Sequence, residues 1–326
     1  MNLLSRPGSD GTADYVVTGY WSERAMNEAA KQAPDNALRK VAGATEDGTA
    51  FKPPSTWGVN PNASYVHICA SEVRCSPRPA CGGALLCPAP HGCCCSQTID
   101  GLEFVEEPEV PEGVPLVADF TSTLLSRRVD ISKYGVIYAS GGKNLGPSGF
   151  ALVIVRDDLI GESLGSPSTP AVMSWYLHSL RKPIPSIYHT PPVYNLYLHS
   201  LVLRHQLKNG GMAAYEQRAI TRASKVYAAV DTSNGFYVTK VSNKDHRSRM
   251  NVAMTIRTGG KRRQDLEKAF VEEASAQGML QLFGHPVRGG LRVTLYNGVP
   301  DEAVDRVVAF MNKFAATHGT KSEAAQ

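Results

Sequence analysis

The segment GVIYASGGKNLGPSG, residues 135–149, places a single lysine in a glycine-rich turn that follows an apolar run. A second apolar run, FALVIVRDD (150–158), begins directly after it, so the pattern predicts two strands joined by a tight connection. Gly142 and Gly146 allow the backbone to turn and to approach a ligand closely. A lysine at a strand end is most often simply exposed. In a partly desolvated pocket, however, Lys143 would have a lowered pKa and react with carbonyl compounds.

Further β-like runs precede this segment and are separated by polar or Gly/Pro-rich connections. They are DYVVTGYW (14–21), SYVHICA (64–70), VPLVADF (114–120) and YGVIYAS (134–140). Short and nearly continuous apolar strands are typical of a sheet that helices cover on both faces, which predicts an α/β fold. VYNLYLHSLVLRHQLKNGG predicts a helix, with Val193, Leu196, Tyr197 and Leu201 on one face.

The pattern changes after about residue 214. Two predicted strands, RMNVAMTIRT and GLRVTLYNGV, alternate with two predicted helices. The first helix is predicted to be capped by Asp265 and ended by Gly278. The second carries Val304, Val307, Val308 and Met311 at helical spacing. We therefore predict a large domain over residues 1–214 and a small α+β domain over residues 215–326.

Composition excludes several classes of function. The net charge is +4 with scattered basic residues, which argues against a nucleic-acid partner. No apolar run approaches the roughly 20 residues that a membrane-spanning helix needs. The first residues lack the apolar core of a signal peptide, so we expect an intracellular protein that is soluble in the cytoplasm.

A carboxylate lies in a position to act together with the lysine. Asp119 ends the run VPLVADF, and Lys143 follows the next run along the chain. Ligands of open α/β sheets bind at the carboxyl ends of the strands, where both side chains are expected. A carboxylate beside a reactive lysine is the arrangement that pyridoxal phosphate requires, because its pyridine nitrogen must stay protonated.

The amino-acid sequence around these two residues is a more specific signal than the lysine–aspartate pair itself. Residues 117–159, VADFTSTLLSRRVDISKYGVIYASGGKNLGPSGFALVIVRDDL, closely resemble the cofactor-lysine region of the phosphoserine aminotransferase family. That family belongs to the class V, fold-type I pyridoxal-phosphate enzymes. The resemblance extends to DYVVTGYWS, STWGVNPNASYVHICASE resumed by TIDGLEF, HTPPVYNLYLHSLVL and GHPVRGGLRVTLYNGV.

The resemblance implies a large α/β/α domain with a mostly parallel sheet, a small C-terminal α+β domain, and roles for individual residues. Lys143 would bind the cofactor covalently, and Asp119 would pair with the pyridinium nitrogen. Trp21 would stack on the ring, although without the resemblance it is equally a core tryptophan at a strand end. Thr98 would hydrogen-bond the ring hydroxyl, where a loop threonine otherwise only forms a turn.

The resemblance also implies a homodimer with shared active sites. Thr190 would reach the cofactor phosphate of the neighbouring subunit, or it would cap the following helix, or both. Gly142 and His189 stand at two cofactor-contacting positions where the family usually has glutamine and asparagine. No metal site is implied.

The resemblance also implies substrate contacts in the small domain. His285 and Arg292 match residues that hold substrate in the family, and a planar arginine is suited to clamp a carboxylate. The family's arginine after His285 is replaced by Pro286, and Arg288 lies two residues further on. The implied reaction is amino transfer between L-glutamate and 3-phosphohydroxypyruvate, which gives 2-oxoglutarate and O-phospho-L-serine for serine biosynthesis.

Two departures from the family pattern lead to further expectations. The chain begins after the family's glycine-rich phosphate loop and His-Arg pair, so we expect this chain to bind the cofactor weakly and to transfer little or no amino group. A plastid location is an alternative if a transit peptide preceded it. Residues 73–97 form an insert that holds six of the seven cysteines, with Cys75, Cys81, Cys87 and Cys93 six residues apart. This spacing does not fit the close cysteine pairs of structural zinc sites, and a thiol switch or an unspliced intron are the alternatives.

Two rival functions remain at this point. A class V enzyme with another substrate, such as an alanine–glyoxylate aminotransferase or a cysteine desulfurase, would share the fold and the lysine. An inactive, truncated remnant would share the fold alone.

Overall fold

The computed structural model describes residues 2–72, 101–162, 169–180, 188, 190–285 and 289–319. The strands of the first part of the chain are β1 (Ala13–Val17), β2 (Leu38–Ala42), β3 (Tyr65–Cys69), β4 (Ser71–Glu72), β5 (Leu102–Glu103), β6 (Leu116–Asp119), β7 (Val136–Ser140) and β8 (Ala151–Val155). The helices of this part are α1 (Tyr20–Ala30), α2 (Trp175–Ser179) and α3 (Val193–Lys208). All the predicted strands are present, but the run predicted over residues 14–21 is a strand only as far as Val17, and its last two residues, Tyr20 and Trp21, begin α1. The predicted helix is α3.

Six of these strands form one sheet in the order β2-β1-β3-β6-β7-β8. Every neighbouring pair is parallel except β7 and β8, which are antiparallel. Cys69, Asp119 and Tyr138 are register partners across β3, β6 and β7. The parallel strands therefore end at one edge of the sheet, and that edge carries Asp119 and the chain that leads to Lys143. The α/β prediction is confirmed.

The prediction that both faces of the sheet are covered is wrong for β8. Val153 is 45% exposed and Ile154 is 37% exposed, whereas the central strands β3 and β6 are buried along most of their length. Within the described part of the chain, β8 pairs only with β7 and runs antiparallel to it, so it is an edge strand of this sheet. Its apolar sequence resembled that of a central strand.

The second part of the chain forms a separate sheet with its own core. Its elements are α4 (Gly211–Asp231), β9 (Tyr237–Val238), β10 (Asn251–Thr258), β11 (Lys261–Arg262), α5 (Gln264–Ala276), β12 (Phe283–His285), β13 (Gly289–Thr294) and α6 (Asp301–Gly319). The order is β11-β10-β13-β12, with β9 on β10, and all pairs are antiparallel. Phe270, Phe310 and Phe314 make edge-to-face or tilted ring contacts in its core. The α+β prediction for this part is confirmed, and the boundary at residue 214 stays a prediction.

Two details of the predicted helices are corrected. Helix α5 begins at Gln264 with Arg263 as its N-cap residue, so Asp265 is not the cap. The Asp265 carboxylate accepts hydrogen bonds from the Arg263 guanidinium. In α6 the predicted face is confirmed, since Val304, Val307 and Met311 are buried.

Helix α3 turns its predicted apolar face outward. Its buried side chains are His199 and Gln206, and both lie against the segment that contains Lys143. Gln206 Nε2 donates to the Asn144 carbonyl at 3.0 Å. No helix within the described part of the chain has the length and apolarity to cross a membrane.

Candidate active site

The lysine-bearing turn is held tightly by its glycines. The Gly142 N–H donates to the Gly146 carbonyl at 2.6 Å, and both residues have positive φ, +94° and +135°. A side chain at Gly141 would collide with the Pro147 carbonyl, and one at Gly146 would lie 3.1 Å from His199 Cδ2. Only glycine fits these positions without displacing the turn, so the backbone fixes the direction in which Lys143 leaves it.

Lys143 points into the site rather than into solvent. Its Nζ donates to Ser122 Oγ at 2.6 Å and lies 5.9 Å from the centre of the Tyr296 ring. Burial lowers the pKa of Lys143 to about 8, and the positive charge of Arg292 acts in the same direction. The neighbouring Asp119 opposes this and favours the ammonium. The amine is therefore substantially neutral near pH 8, as a nucleophile for a carbonyl must be.

Asp119 lies at the last position of β6, beside the lysine. Burial raises the pKa of its carboxyl above the ordinary value, while hydrogen bonds from Thr121 and the charge of Lys143 lower it. The Thr121 N–H donates to Asp119 Oδ1 at 2.8 Å, which fixes the carboxyl at the strand end. A carboxylate that is partly removed from water gains stability from any further cation in the pocket, and a protonated pyridine nitrogen is such a cation.

Arg292 is the clearest sign of a site for an anionic ligand. It lies on β13, is 4% exposed, and its Nε and Nη1 have no hydrogen-bond partner among the described residues. Burial lowers the pKa of its guanidinium. Buried donors without partners are costly, and a carboxylate would satisfy two of them at once. Because Arg292 also acts electrostatically on Lys143, the anion would be held next to the amine.

Trp21 lies in the first turn of α1, directly after β1. It is half-buried, and its ring contacts are an edge-to-face arrangement with Tyr20 and the Arg24 guanidinium at 5.8 Å. β1 is separated from β6 only by β3, so Trp21 stands at the same edge of the sheet as Asp119. Its partial exposure differs from that of a core tryptophan.

The structure describes only some of the remaining predicted site residues. Thr190 is exposed and precedes α3, whose N-cap residue is Pro192, so Thr190 is not the capping residue. His285 ends β12, with Gly289 as its register partner. Thr98, His189 and Arg288 lie outside the described residues, as does the insert 73–97. Glu72 and Leu102 are paired across β4 and β5, so the chain on either side of the insert comes together.

Ser122 and Tyr296 contribute to the site and were missed in the sequence. Ser122 is buried three residues after Asp119, and Tyr296 follows Arg292 by four residues. Burial raises the pKa of Tyr296, and its hydroxyl is hydrogen-bonded to Ser122 and to Asn251. Hydroxyl residues in a turn carry no distinctive signal, so only their spacing from Asp119 and Arg292 could have pointed to them.

The residues present fit pyridoxal phosphate and an amino-acid substrate. The site offers an amine of lowered pKa, a half-buried carboxylate, and an arginine with unsatisfied donors. These groups come from the large sheet and from β13 of the small sheet. The arrangement can capture a carbonyl, hold a cationic ring nitrogen, and bind a carboxylate beside the place where a proton is moved.

Comparison with known proteins agrees with this chemistry. The family model described as aminotransferase class-V matches residues 101–307. A phosphoserine aminotransferase of Janthinobacterium sp. (strain Marseille) is 39% identical over 321 residues, covering 98% of this chain and 77% of that protein. The phosphoserine aminotransferase of Drosophila melanogaster is 41% identical over 301 residues, with 92% and 72% covered.

Solved structures show the same similarity. The phosphoserine aminotransferase from Bacillus circulans subsp. alkalophilus superposes with a TM-score of 0.78 at 30% identity, covering 97% of this chain and 78% of that chain. The pyridoxal-phosphate-bound phosphoserine aminotransferase from Trichomonas vaginalis gives 0.78 at 29%, with 95% and 77% covered. An alanine–glyoxylate aminotransferase from Nostoc sp. reaches 0.64 at 16%, covering 96% and 77%, which shows a shared fold alone.

Proposed function

This chain belongs to the class-V aminotransferases, and we propose that it is a pyridoxal-phosphate-dependent phosphoserine aminotransferase. The proposed reaction transfers the amino group between L-glutamate and 3-phosphohydroxypyruvate, giving O-phospho-L-serine and 2-oxoglutarate for serine biosynthesis. One observation carries the proposal: the half-buried amine of Lys143 has a lowered pKa, and both the carboxylate of Asp119 and the guanidinium of Arg292, which has unsatisfied donors, act on its charge. The 39–41% identity to phosphoserine aminotransferases favours this substrate over that of the alanine–glyoxylate enzyme.

Each residue has a physical task in this reaction. Pyridoxal phosphate, when bound, supplies an aldehyde for the amine and a ring that withdraws electrons from the substrate α-carbon. Lys143 presents a neutral amine and, once free, holds and moves a proton at Nζ. Asp119 keeps a negative charge opposite the ring nitrogen. Arg292 orients the substrate by donating two hydrogen bonds to its carboxylate.

The remaining residues are proposed to complete the site. Trp21 would cover the plane of the ring, and Thr98, Gly142, His189 and Thr190 would contact the cofactor. His285 and Arg288 would approach the substrate phosphate. A cytoplasmic or plastid location stays a prediction.

The proposal is tested by measuring phosphoserine formation from glutamate and phosphohydroxypyruvate with added cofactor. We expect glutamate-dependent formation of phosphoserine. With alanine and glyoxylate we expect kcat/KM to be at least about 100-fold lower, because these substrates have no phosphate group and the contact of Arg292 with their carboxylate does not replace the contacts to a phosphate. Preference for glyoxylate would favour the other class V reaction. Cofactor-dependent absorbance without transfer of the amino group to either acceptor would favour an inactive remnant.

We further propose that two copies of the chain pair through the outward face of α3. Its exposed apolar side chains support this, with Val193 66%, Tyr194 71%, Tyr197 60% and Leu207 73% exposed. Single exposed apolar residues are ordinary, but a contiguous apolar face marks an interaction surface. Thr190 lies just before this helix, in agreement with a threonine that serves the neighbouring subunit.

Tyr197→Asp is expected to weaken this dimer at least about tenfold, because it buries a carboxylate in an apolar interface. Sedimentation velocity over a range of concentrations measures the shift from dimer to monomer. Leu280→Asp is the matched control, since Leu280 is 68% exposed on the small domain, away from α3. An equal effect of both substitutions, or a monomeric unaltered protein, would refute the α3 interface.

A further inference from the structure

The amine of Lys143 is held by a hydroxyl group. The Lys143 Nζ donates to Ser122 Oγ at 2.6 Å, and the Ser122 side chain is buried. Ser122 lies in the turn after β6, and this turn is ordered by its own hydrogen bonds, including Thr123 N to the Phe120 carbonyl at 3.0 Å. The serine is therefore fixed by the backbone.

The Ser122 hydroxyl continues into a second hydroxyl from the small domain. Tyr296 is hydrogen-bonded to Ser122, and Asn251 Nδ2 donates to the Tyr296 hydroxyl at 3.4 Å. We call the hydroxyls of Ser122 and Tyr296 the hydroxyl pair. It connects the amine to the small domain, because Tyr296 follows β13 and Asn251 begins β10.

The residue after Tyr296 fixes the pair in place. The Asn297 N–H donates to Asn144 Oδ1 at 2.8 Å, and Asn297 Nδ2 donates to the Leu125 carbonyl at 2.7 Å. One bond reaches the residue next to Lys143, and the other reaches the turn that holds Ser122. Leu125 has a φ of +63°, a strained conformation that is kept only where neighbouring contacts enforce it.

We propose that the hydroxyl pair is hydrogen-bonded to Nζ of Lys143 in both protonation states of the amine. Ser122 is in direct contact with the reacting nitrogen, and Tyr296 is a positioning residue. The inference deepens the proposed function, on which the catalytic meaning of the proton at Nζ rests. Each hydroxyl can donate or accept. When Nζ is an ammonium, Ser122 accepts from it and donates to Tyr296. When Nζ has given up a proton, the two hydroxyls reverse, and Ser122 donates to the amine lone pair.

This reversal meets a requirement of the reaction. A lysine that takes and returns a proton needs a neighbour that is satisfied in both states, because a buried polar group without a partner is costly. A carboxylate would hold the ammonium and resist its deprotonation. A neutral hydroxyl pair favours the ammonium by about one pH unit, far less than a carboxylate would, so Nζ changes its protonation without a large rearrangement.

The test measures the ionisation of Lys143 in the full chain without cofactor, by pulse labelling with acetic anhydride across pH and quantifying the Lys143 peptide by mass spectrometry. For Ser122→Ala we expect the apparent pKa of Lys143 to fall by about one pH unit, which speeds its labelling at pH 7 about fivefold. The ammonium loses its acceptor while burial persists. Asp119, Arg292 and Cys69 also act on Nζ and are unchanged in every variant.

Three further variants test whether the change in Lys143 labelling comes from losing the hydroxyl group or from changing the shape of the side chain. Ser126→Ala removes another buried serine hydroxyl from the same turn, one that donates to the Thr123 carbonyl, and should leave the labelling profile of Lys143 unchanged. Ser122→Thr keeps the hydroxyl and should restore the profile. Tyr296→Phe should shift it in the same direction as Ser122→Ala but by less.

A profile for Ser122→Ala that matches Ser126→Ala would overturn the inference, and so would a threonine variant that behaves like alanine. If the alanine variant does not fold, Tyr296→Phe decides, since an unchanged profile there would show that the pair does not act as a unit. The labelling requires neither cofactor nor turnover. Its failure would therefore leave the proposed aminotransferase activity standing, and failed transamination would leave the labelling result intact.

Discussion

Replacing Lys143 with alanine is expected to abolish amino transfer, with a loss of about 10⁴-fold or more in the single-turnover rate. Burial lowers the pKa of Lys143 to about 8, and the charge of Asp119 acts on the same amine. The variant loses both the amine that captures the cofactor and the group that moves the proton. The measurement is conversion of glutamate to 2-oxoglutarate by enzyme in excess over substrate.

Borohydride reduction of the unaltered protein with cofactor should fix the label to the peptide that contains Lys143. The rate of cofactor capture should rise with pH and level off above about 8, since the reactive form is the neutral amine and its pKa is about 8. Lys133→Ala, which removes an exposed lysine, is the control and should retain activity. Label on a different lysine, or full turnover by Lys143→Ala, would remove Lys143 from the mechanism.

The sequence predicted the part of the site that depends on local pattern. A strand followed by a Gly-Gly-Lys turn, and an aspartate that ends the preceding apolar run, are short-range features. The rule that parallel strands present their carboxyl ends together then brings Asp119 and Lys143 to one edge. The parallel register of β6 and β7 confirms that both strands end at the same edge. Neither segment alone predicts which strands are neighbours in the sheet.

The parts that were missed depend on contacts distant in the chain. Ser122 and Tyr296 are 174 residues apart, and their meeting follows from the docking of the small domain through Asn297. The outward apolar face of α3 has the same periodicity as a buried one, so the pattern does not tell a core from an interface. For β8, an apolar composition concealed its position at the edge of the sheet.

The proposed binding role of Arg292 depends on both the sequence and the structure. The resemblance matched this position to a substrate-holding residue, but arginines on strands are usually solvated. The structure adds that the guanidinium is buried and that Nε and Nη1 are unsatisfied among the described residues. An uncompensated buried cation lowers stability, so its presence is better explained by a ligand than by the fold.

Arg292→Lys is therefore expected to lower kcat/KM for glutamate by about 100- to 1000-fold, mostly through a higher KM. Losing two charge-assisted hydrogen bonds costs about 3–4 kcal/mol, because an ammonium does not reproduce the planar, two-point geometry of a guanidinium. Steady-state kinetics over a wide range of glutamate concentrations separates KM from kcat. The same substitution at Arg257, an exposed arginine on β10, is the control and should leave both values unchanged.

A second measurement on Arg292 distinguishes binding from a structural role. Arg292→Gln removes the buried charge, so its free energy of unfolding without ligand should equal or exceed that of the unaltered protein, while glutamate binding is lost. A structural arginine would behave in the opposite way, because removing it would break contacts that hold β13 in the sheet. A clear loss of stability in Arg292→Gln, together with an unchanged KM in Arg292→Lys, would show that the carboxylate binds elsewhere. The expected combination, with stability kept and substrate affinity lost, is what a residue reserved for an anionic ligand should produce.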